Sequence, residues 1–276
     1  MEDKWVTVSG VKTNFIHGGK GKALVLLPGW PSNFSTGDQV LNNLAKYFEI
    51  FAINLPGFGK TEPLPNPESL EINDLSEFIY SAIKNLQVKS FFLMGFSMGG
   101  LTSLSLSANH PEAVSKMICI APPLGISFLP QKMRVIFFLV KILGQFSVFL
   151  ALLKKIINNN YIFPKLYYAF TSYSYTDEDS RQDYLQNREN LRNMDFSQCL
   201  RTLKILDHLN ALNFSKNITA ETLILVANDD TFVGKSPLKL RGIIPHNESI
   251  VLNTQHWGIM EAYPPKKISE FFNSRC

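Results

Sequence analysis

Phe91-Phe92-Leu93-Met94-Gly95-Phe96-Ser97-Met98-Gly99 passes from an unbroken apolar run into the opening of a helix with no linker between them. The run from Phe91 to Met94 fits a strand buried on both faces, and Met98 to about Asn109 continues as a helix. A chain that changes from strand to helix so abruptly must turn tightly. Gly95 and Gly99, two residues either side of Ser97, remove Cβ atoms that would obstruct the turn. The turn lifts the Ser97 hydroxyl clear of the sheet, and the helix N-terminus behind it favours negative charge building nearby. Ser97 is therefore a candidate nucleophile, with Gly95 and Gly99 supporting it.

The flanking segments follow the same grammar. Trp5 to Val8 and Lys12 to His17 read as strands joined by the Ser9-Gly10 turn. Ala23 to Leu27 and Ile50 to Asn54 are buried strands, closed by Pro28-Gly29 and by Leu55-Pro56-Gly57-Phe58-Gly59, with a short helix over Val40 to Tyr47 between them. From Ser69 to Leu86, apolar residues such as Leu75, Phe78, Ile79 and Ala82 recur with the spacing of an amphipathic helix. Met117 to Ile120 is a fourth buried strand; Thr222 to Ala227, Ser249 to Leu252 and a closing helix over Pro264 to Phe272 come late in the chain. Strands alternating with helices predict an α/β fold with a mostly parallel central sheet flanked by helices. The stretch from Gly125 to Leu212 breaks the rhythm, looking helical with no convincing strand. It predicts an inserted helical cap, dividing the chain into core 1–124, cap 125–212 and core 213–276.

A serine hydroxyl is a weak nucleophile until a base takes its proton. His17, His110, His208 and His246 lie in strand, helix-end or loop settings with no supporting pattern. His256, in Thr254-Gln255-His256-Trp257-Gly258, follows the last strand, where a loop at the sheet's C-terminal edge reaches over Ser97. A third group must accept the other imidazole proton, and Asn228-Asp229-Asp230 supplies two aspartates at the same edge. For the oxyanion, the N–H of Met98 follows the nucleophile directly. Gly29 lets the preceding loop approach closely enough for the N–H of Trp30 to serve beside it, and Pro31 has none to give.

Composition narrows the class. Of 276 residues, 45% are hydrophobic and 18% charged, as in an ordinary globular protein, and a net charge of +4 is too mild to indicate nucleic acid. Cys119, Cys199 and Cys276 are odd in number and far apart, which speaks against a disulfide framework or a zinc site; no metal or cofactor is expected. Met1-Glu2-Asp3-Lys4 leads into a strand with no apolar signal region behind it, so the expectation is a cytoplasmic protein. Between Gly125 and Thr176 stand Lys132, Arg134, Lys141, Lys154, Lys155 and Lys165 and no acid, leaving the rest of the chain at −2. Val135 to Leu153 is about four-fifths apolar and roughly long enough to span a bilayer. Lys141 and Gln145 interrupt it, however, and a span there would pull the sheet domain apart, so it reads as an apolar cap helix.

Together these residues resemble the α/β-hydrolase superfamily over nearly the whole chain outside the cap. The order Ser97, acid, His256 is the family's order. Asn54-Leu55-Pro56-Gly57-Phe58-Gly59 is similar to its D-x-P-G-x-G loop, with asparagine where aspartate is usual. Asp230-Thr231-Phe232-Val233 resembles the segment in which the family's acid precedes x-x-V, so the resemblance favours Asp230 over Asp229. His256 followed by Glu261 and Pro264 resembles the stretch that begins with the family's histidine; the family's other acid position is here occupied by Pro122-Pro123. Pro28-Gly29-Trp30 departs from the usual His-Gly-x. Ser97 rules out the aspartate chemistry of dehalogenases and epoxide hydrolases, and the elbow of prolyl iminopeptidases is absent.

The resemblance implies a carboxylic-ester hydrolase without cofactor, working through a Ser97–His256–Asp230 triad and an acyl-enzyme, on a substrate with an apolar acyl group. Acyl-carrier-protein methyl esters and lipid or monoacylglycerol esters are alternatives. A carbon–carbon bond hydrolase, a perhydrolase and a non-catalytic ligand-binding member follow. The cap reads as a hydrophobic helix lining the acyl pocket, as a basic apolar lid for an anionic membrane surface, or as a basic platform for an acyl carrier protein, and all three imply a long apolar acyl group beside Ser97.

Overall fold

Strands that read as unbroken apolar runs occupy the middle of the sheet, and those with polar residues lie at its edge. The structure, a computed structural model, describes residues 1–65, 70–171 and 178–274; Ser69, Thr176 and Cys276 lie outside the described residues. Among these residues are eight strands: β1 (Glu2–Val8), β2 (Val11–Gly19), β3 (Ala23–Leu27), β4 (Glu49–Ile53), β5 (Phe91–Phe96), β6 (Val114–Ile120), β7 (Glu221–Ala227) and β8 (Asn247–Leu252). They form one sheet in the order β1-β2-β4-β3-β5-β6-β7-β8. β2 runs antiparallel to β1 and β4, and every other pairing is parallel.

Parallel register brings the C-terminal ends of the strands to one edge. Leu27 of β3 pairs with Gly95 of β5, Gly95 with Cys119 of β6, and Ala227 of β7 with Leu252 of β8. The loops leaving β3, β5, β7 and β8 therefore open side by side, where open α/β sheets place ligands.

The core helices are α1 (Gln39–Leu44), α2 (Ile72–Asn85) and α3 (Met98–Asn109), with α9 (Leu212–Ser215), α10 (Ile259–Ala262) and α11 (Pro265–Asn273) toward the C-terminus. The amphipathic stripe foreseen for α2 is buried through Leu75, Phe78, Ile79, Ala82 and Ile83. The helix foreseen to reach Tyr47 stops at Leu44; Asp38 caps its start by accepting from the N–H groups of Val40 and Leu41. α11 closes the sheet with Phe272, stacked on Phe92 at 4.7 Å and edge-on to Phe48 at 5.7 Å. Lys116, almost fully buried on β6, holds this end in place. Its Nζ donates to the carbonyls of Phe271 and Ser274 and to Ser274 Oγ, and pairs with Glu221 at 2.9 Å.

Between β6 and β7 lie α4 (Gln131–Leu143), α5 (Ser147–Asn158), α6 (Ile162–Thr171), α7 (Glu178–Asn193) and α8 (Phe196–Thr202). The apolar stretch from Val135 to Leu153 is two helices rather than one, because the chain bends by 114° between α4 and α5. At the bend, a Cβ on Gly144 would stand 2.4 Å from Leu200 Cδ1, so the glycine lets α4 end against α8. No single helix among the described residues is long and apolar enough to cross a membrane.

Candidate active site

Ser97 sits between β5 and α3 with φ 50° and ψ −113°, a left-handed backbone that a non-glycine residue adopts at a cost of about 1–3 kcal/mol. Its surroundings over-determine the turn. The Ser97 N–H donates to Ile120 O at 2.7 Å, and its carbonyl accepts from Leu101 N at 3.0 Å, starting the helix. A Cβ on Gly95 would lie 2.3 Å from Gly99 O, and one on Gly99 would lie 2.3 Å from Leu27 O, so neither position admits a side chain.

The loop after β3 comes equally close. A Cβ on Gly29 would stand 3.2 Å from Ser97 Cβ, so this loop passes beside the hydroxyl. The backbone N–H of Trp30 donates to no acceptor among the described residues. Met98 N–H, at the first position of α3, belongs to the turn of the helix that lacks carbonyl partners. The Trp30 indole ties this loop to the cap, donating from Nε1 to Cys199 O at 2.7 Å and meeting Phe137 of α4 edge-on at 5.8 Å.

After β7 the two aspartates part. Asp229 is exposed, with its side chain toward Asn228, whereas Asp230 is buried. Asp230 Oδ1 accepts from the N–H groups of Phe232 and Val233 at 2.8 and 2.9 Å, and Oδ2 is left to face His256 Nδ1 at 2.6 Å. That arrangement fixes which imidazole nitrogen carries the proton toward the carboxylate, leaving Nε2 for the cavity side. Phe96, Phe232 and Trp257 ring the imidazole at 5.0, 5.1 and 5.2 Å between centroids, restricting its tilt. Each of these aromatics lies within two residues of a motif residue, but nothing in the motif marks it as a ring partner. Their role becomes visible only once the loops are assembled.

Ser97 and His256 line one cavity of about 30 Å³ with Trp30, Met98, Phe137 and Leu203. Its remaining walls are Pro123, Leu129, Leu206, Phe232, Val233 and Trp257, so the lining is almost wholly apolar. Among the described residues no hydrogen bond joins Ser97 Oγ to the imidazole; the two share the cavity wall instead. Burial pushes the thiols of Cys119 and Cys199 well up, so neither is a candidate nucleophile. Among the described residues, no three His, Cys, Asp or Glu side chains gather as a metal site would require.

Behind the site, Asn54 occupies the position after β4 that departs from the D-x-P-G-x-G pattern. It is fully buried and fully paired. Its Nδ2 donates to Asn14 Oδ1 at 2.8 Å and to Phe34 O at 3.1 Å, while its Oδ1 accepts from Phe34 N at 2.7 Å. Asn14 in turn donates to Asp3 Oδ1, and Asp3 pairs with Lys60 at 2.6 Å. Burial raises the Asp3 carboxyl, but Lys60 and Asn14 together outweigh it and hold it below its ordinary value. Since Asn14 presents its amide hydrogens to Asp3, it presents only an oxygen to residue 54, and asparagine there answers it with a donor.

A strained serine elbow, a buried Asp–His pair and an apolar cavity on the C-terminal edge of a mostly parallel sheet define a hydrolase-type scaffold. The chain belongs to the α/β-hydrolase family: residues 22–263 match the family model described as alpha/beta hydrolase fold. Over 103 residues it is 33% identical to the pimeloyl-[acyl-carrier protein] methyl ester esterase of Vibrio campbellii, a match covering 37% of this chain and 38% of that protein. Over 121 residues it is 30% identical to the 2-hydroxy-6-oxo-6-(2'-aminophenyl)hexa-2,4-dienoic acid hydrolase of Metapseudomonas resinovorans, covering 42% and 41% of the two chains. The matches thus span well under half the length of these relatives. In fold, the enol-lactonase from Burkholderia xenovorans LB400 superposes with a TM-score of 0.78 over 98% of this chain and 100% of that one, at 15% identity.

Proposed function

We propose that the protein hydrolyses carboxylic esters carrying an apolar acyl group, through an acyl-enzyme on Ser97. The observation that carries this reading is the strained Ser97 elbow opening onto a cavity it shares with a His256 whose Nδ1 is held by buried Asp230. In the proposed reaction His256 Nε2 takes the Ser97 proton as Oγ attacks the ester carbonyl. Asp230 keeps the imidazole in the required tautomer and stabilises the imidazolium that forms. The N–H groups of Trp30 and Met98 receive the oxyanion. His256 then returns the proton to the leaving alcohol, and water repeats the sequence on the acyl-enzyme.

The apolar lining favours an acyl chain over the carbon–carbon substrates suggested by the name of the M. resinovorans relative. A dienoic acid carries a carboxylate, and among the described residues the cavity wall offers no lysine or arginine to meet it. An acyl chain attached to a carrier protein, as the V. campbellii relative's name describes, fits the same lining. The volume of about 30 Å³ is far below the several hundred Å³ of an organic-ligand pocket, so this reading expects lining side chains such as Phe137 of α4 to shift when substrate enters.

The test is labelling with a fluorophosphonate and turnover of p-nitrophenyl esters of graded chain length. Wild-type protein should label at Ser97 and hydrolyse the esters, and Ser97→Ala should do neither, with turnover falling at least about a hundredfold. Retained activity in Ser97→Ala, or a wild-type protein that neither labels nor turns over, would refute the reading.

A further inference from the structure

The outer side of the cap is unlike the rest of the surface. α4 turns Met133 and Phe137 toward the core, yet leaves Val135, Phe138, Leu139 and Ile142 well exposed to solvent. These four follow the helical repeat and form one stripe. Phe146 at the corner is 59% exposed, and Val148 and Leu152 on α5 are 79% and 51% exposed. Just before α6, Tyr161 is 72% exposed with Lys165 Nζ 3.8 Å over its ring. So many exposed large apolar side chains on two consecutive helices mark an interaction site.

The charges on the segment that carries it have one sign, while α7, which packs against α5, is mixed, with Glu189 paired to Arg192. Residues 125–176 hold six cations and no acid. Lys141 pairs with Asp207, while Lys132, Arg134, Lys154, Lys155 and Lys165 make no ion pair among the described residues. A groove of about 480 Å³ beside α4 is lined by Ile126, Val135 and Phe138 together with Gln131, Arg134, Lys141 and Asp207.

We infer that this face docks on an anionic phospholipid surface, with the apolar stripe among the upper acyl chains and the lysines at the headgroups. A second copy fits poorly, because a two-fold contact would set the same unpaired cations against each other. An acidic protein would satisfy the cations but leave Phe138, Phe146 and Val148 facing a polar partner. A lipid interface takes both kinds of group at once. The helices lie on such a surface rather than cross it: α4 and α5 have 13 and 12 residues, and neither of their lengths, about 20 Å, matches a core of about 30 Å. The remainder of the chain carries a formal −2, so the field of the molecule itself turns the cap toward a negative surface.

This inference concerns binding and stands apart from the ester chemistry, so the two are tested separately. Flotation with phosphatidylcholine vesicles, with and without phosphatidylglycerol, at low and high salt, measures the binding; p-nitrophenyl acetate turnover and near-UV circular dichroism report on the site and the fold. Wild-type protein and Ser97→Ala should bind the phosphatidylglycerol vesicles equally at low salt, and added salt should weaken both. Lys154→Glu/Lys155→Glu should lower the partition at least about twentyfold, since each basic residue near such a surface contributes about a fivefold gain. Val148→Asp should lower it too, while acetate turnover holds in both variants. A folded protein that ignores phosphatidylglycerol vesicles at low salt overturns the inference. So does equal binding with and without phosphatidylglycerol, and so does a stable dimer whose vesicle binding is nil. Loss of turnover with binding intact would count against the proposed reaction alone.

Discussion

Asn54→Asp restores the residue usual at this position of the family's loop, and the structure predicts that it harms this protein. In the wild type the two Nδ2 hydrogens donate to Asn14 Oδ1 and Phe34 O, both in a fully buried site. A carboxyl group at position 54 would set an oxygen against those two acceptors. Asn14 cannot turn its amide round to help, because its Nδ2 is engaged by Asp3 Oδ1 and Lys4 O. In its protonated form the new carboxyl recovers one of the two hydrogen bonds, so the cost below the carboxyl's ordinary range is that of one bond and one stranded acceptor, about 2 kcal/mol. In its ionised form it would be buried with no cation beside it, which raises its folded-state pKa by about three units.

The sign of the pH effect follows from that shift. With the folded pKa above the unfolded one, no extra penalty exists below the unfolded value of about 4. The penalty grows as pH rises through the window between the two and reaches about 4 kcal/mol above the folded value. Urea unfolding of wild type and Asn54→Asp, followed by circular dichroism at pH 4 and pH 8, measures the difference. The variant should lose about 2 kcal/mol at the lower pH and about 6 at the higher. Equal stability to wild type at both values, or a loss that does not grow with pH, would refute the argument from Asn14.

Other measurements address different parts of the molecule. Asp230→Asn should lower kcat for p-nitrophenyl esters about a thousandfold or more, because the imidazole then loses its tautomer, while the exposed Asp229→Asn changes it less than about twofold; the reverse ranking would mean that the wrong aspartate faces His256. Phe137→Ala should enlarge the cavity and shift the preference between octanoate and acetate esters at least about tenfold toward octanoate, so an unchanged ratio would remove Phe137 from the acyl path. Lys116→Met removes the Lys116 donor from the Ser274 carbonyl, while Phe271 O keeps its bond from Ser274 Oγ at 2.7 Å, and should cost about 2 kcal/mol in urea unfolding with kcat unaltered; unaltered stability would show that the Ser274 carbonyl is satisfied without it.

The parallel core was legible because its strands are apolar on both faces and its turns are written in glycine and proline. Ala23 to Leu27 coincides with β3, and Met98 to Asn109 with α3. β6 begins at Val114, before the apolar run from Met117, because Lys116 interrupts the pattern; its charge is buried only by virtue of Glu221 and the end of α11, both remote from it in the sequence. Around the site, Ser97 and His256 could be picked out since each follows a strand end, whereas the strand end left Asp229 and Asp230 both open and only the family resemblance favoured Asp230. The structure joins Asp230 to His256 and puts Ser97 and His256 on one cavity. Asn54 was visible as a departure without a reason. The reason is Asn14, far earlier in the chain, whose orientation depends on Asp3 and Lys60.

The cap resisted reading for a different reason. Where nearly every position from Val135 to Leu153 is apolar, periodicity no longer distinguishes an inner face from an outer one, and helix length cannot be told from composition. Only the packing of Gly144 against Leu200 breaks the run, and only the walls of the site select Phe137 rather than Phe138 to face Ser97. These two adjacent phenylalanines meet opposite environments, one closing a cavity of about 30 Å³ and the other standing 59% in solvent. If α4 moves as one body, its two faces are coupled. Whatever then draws Phe138 and its neighbours out of water also moves Phe137, which shares a cavity wall with Ser97. Adding phosphatidylglycerol vesicles should therefore raise turnover of octanoate esters more than acetate esters in wild type, and Phe137→Ala, whose cavity is already open, should lose that difference. An equal rise for both esters in both proteins would show that the faces of α4 act independently.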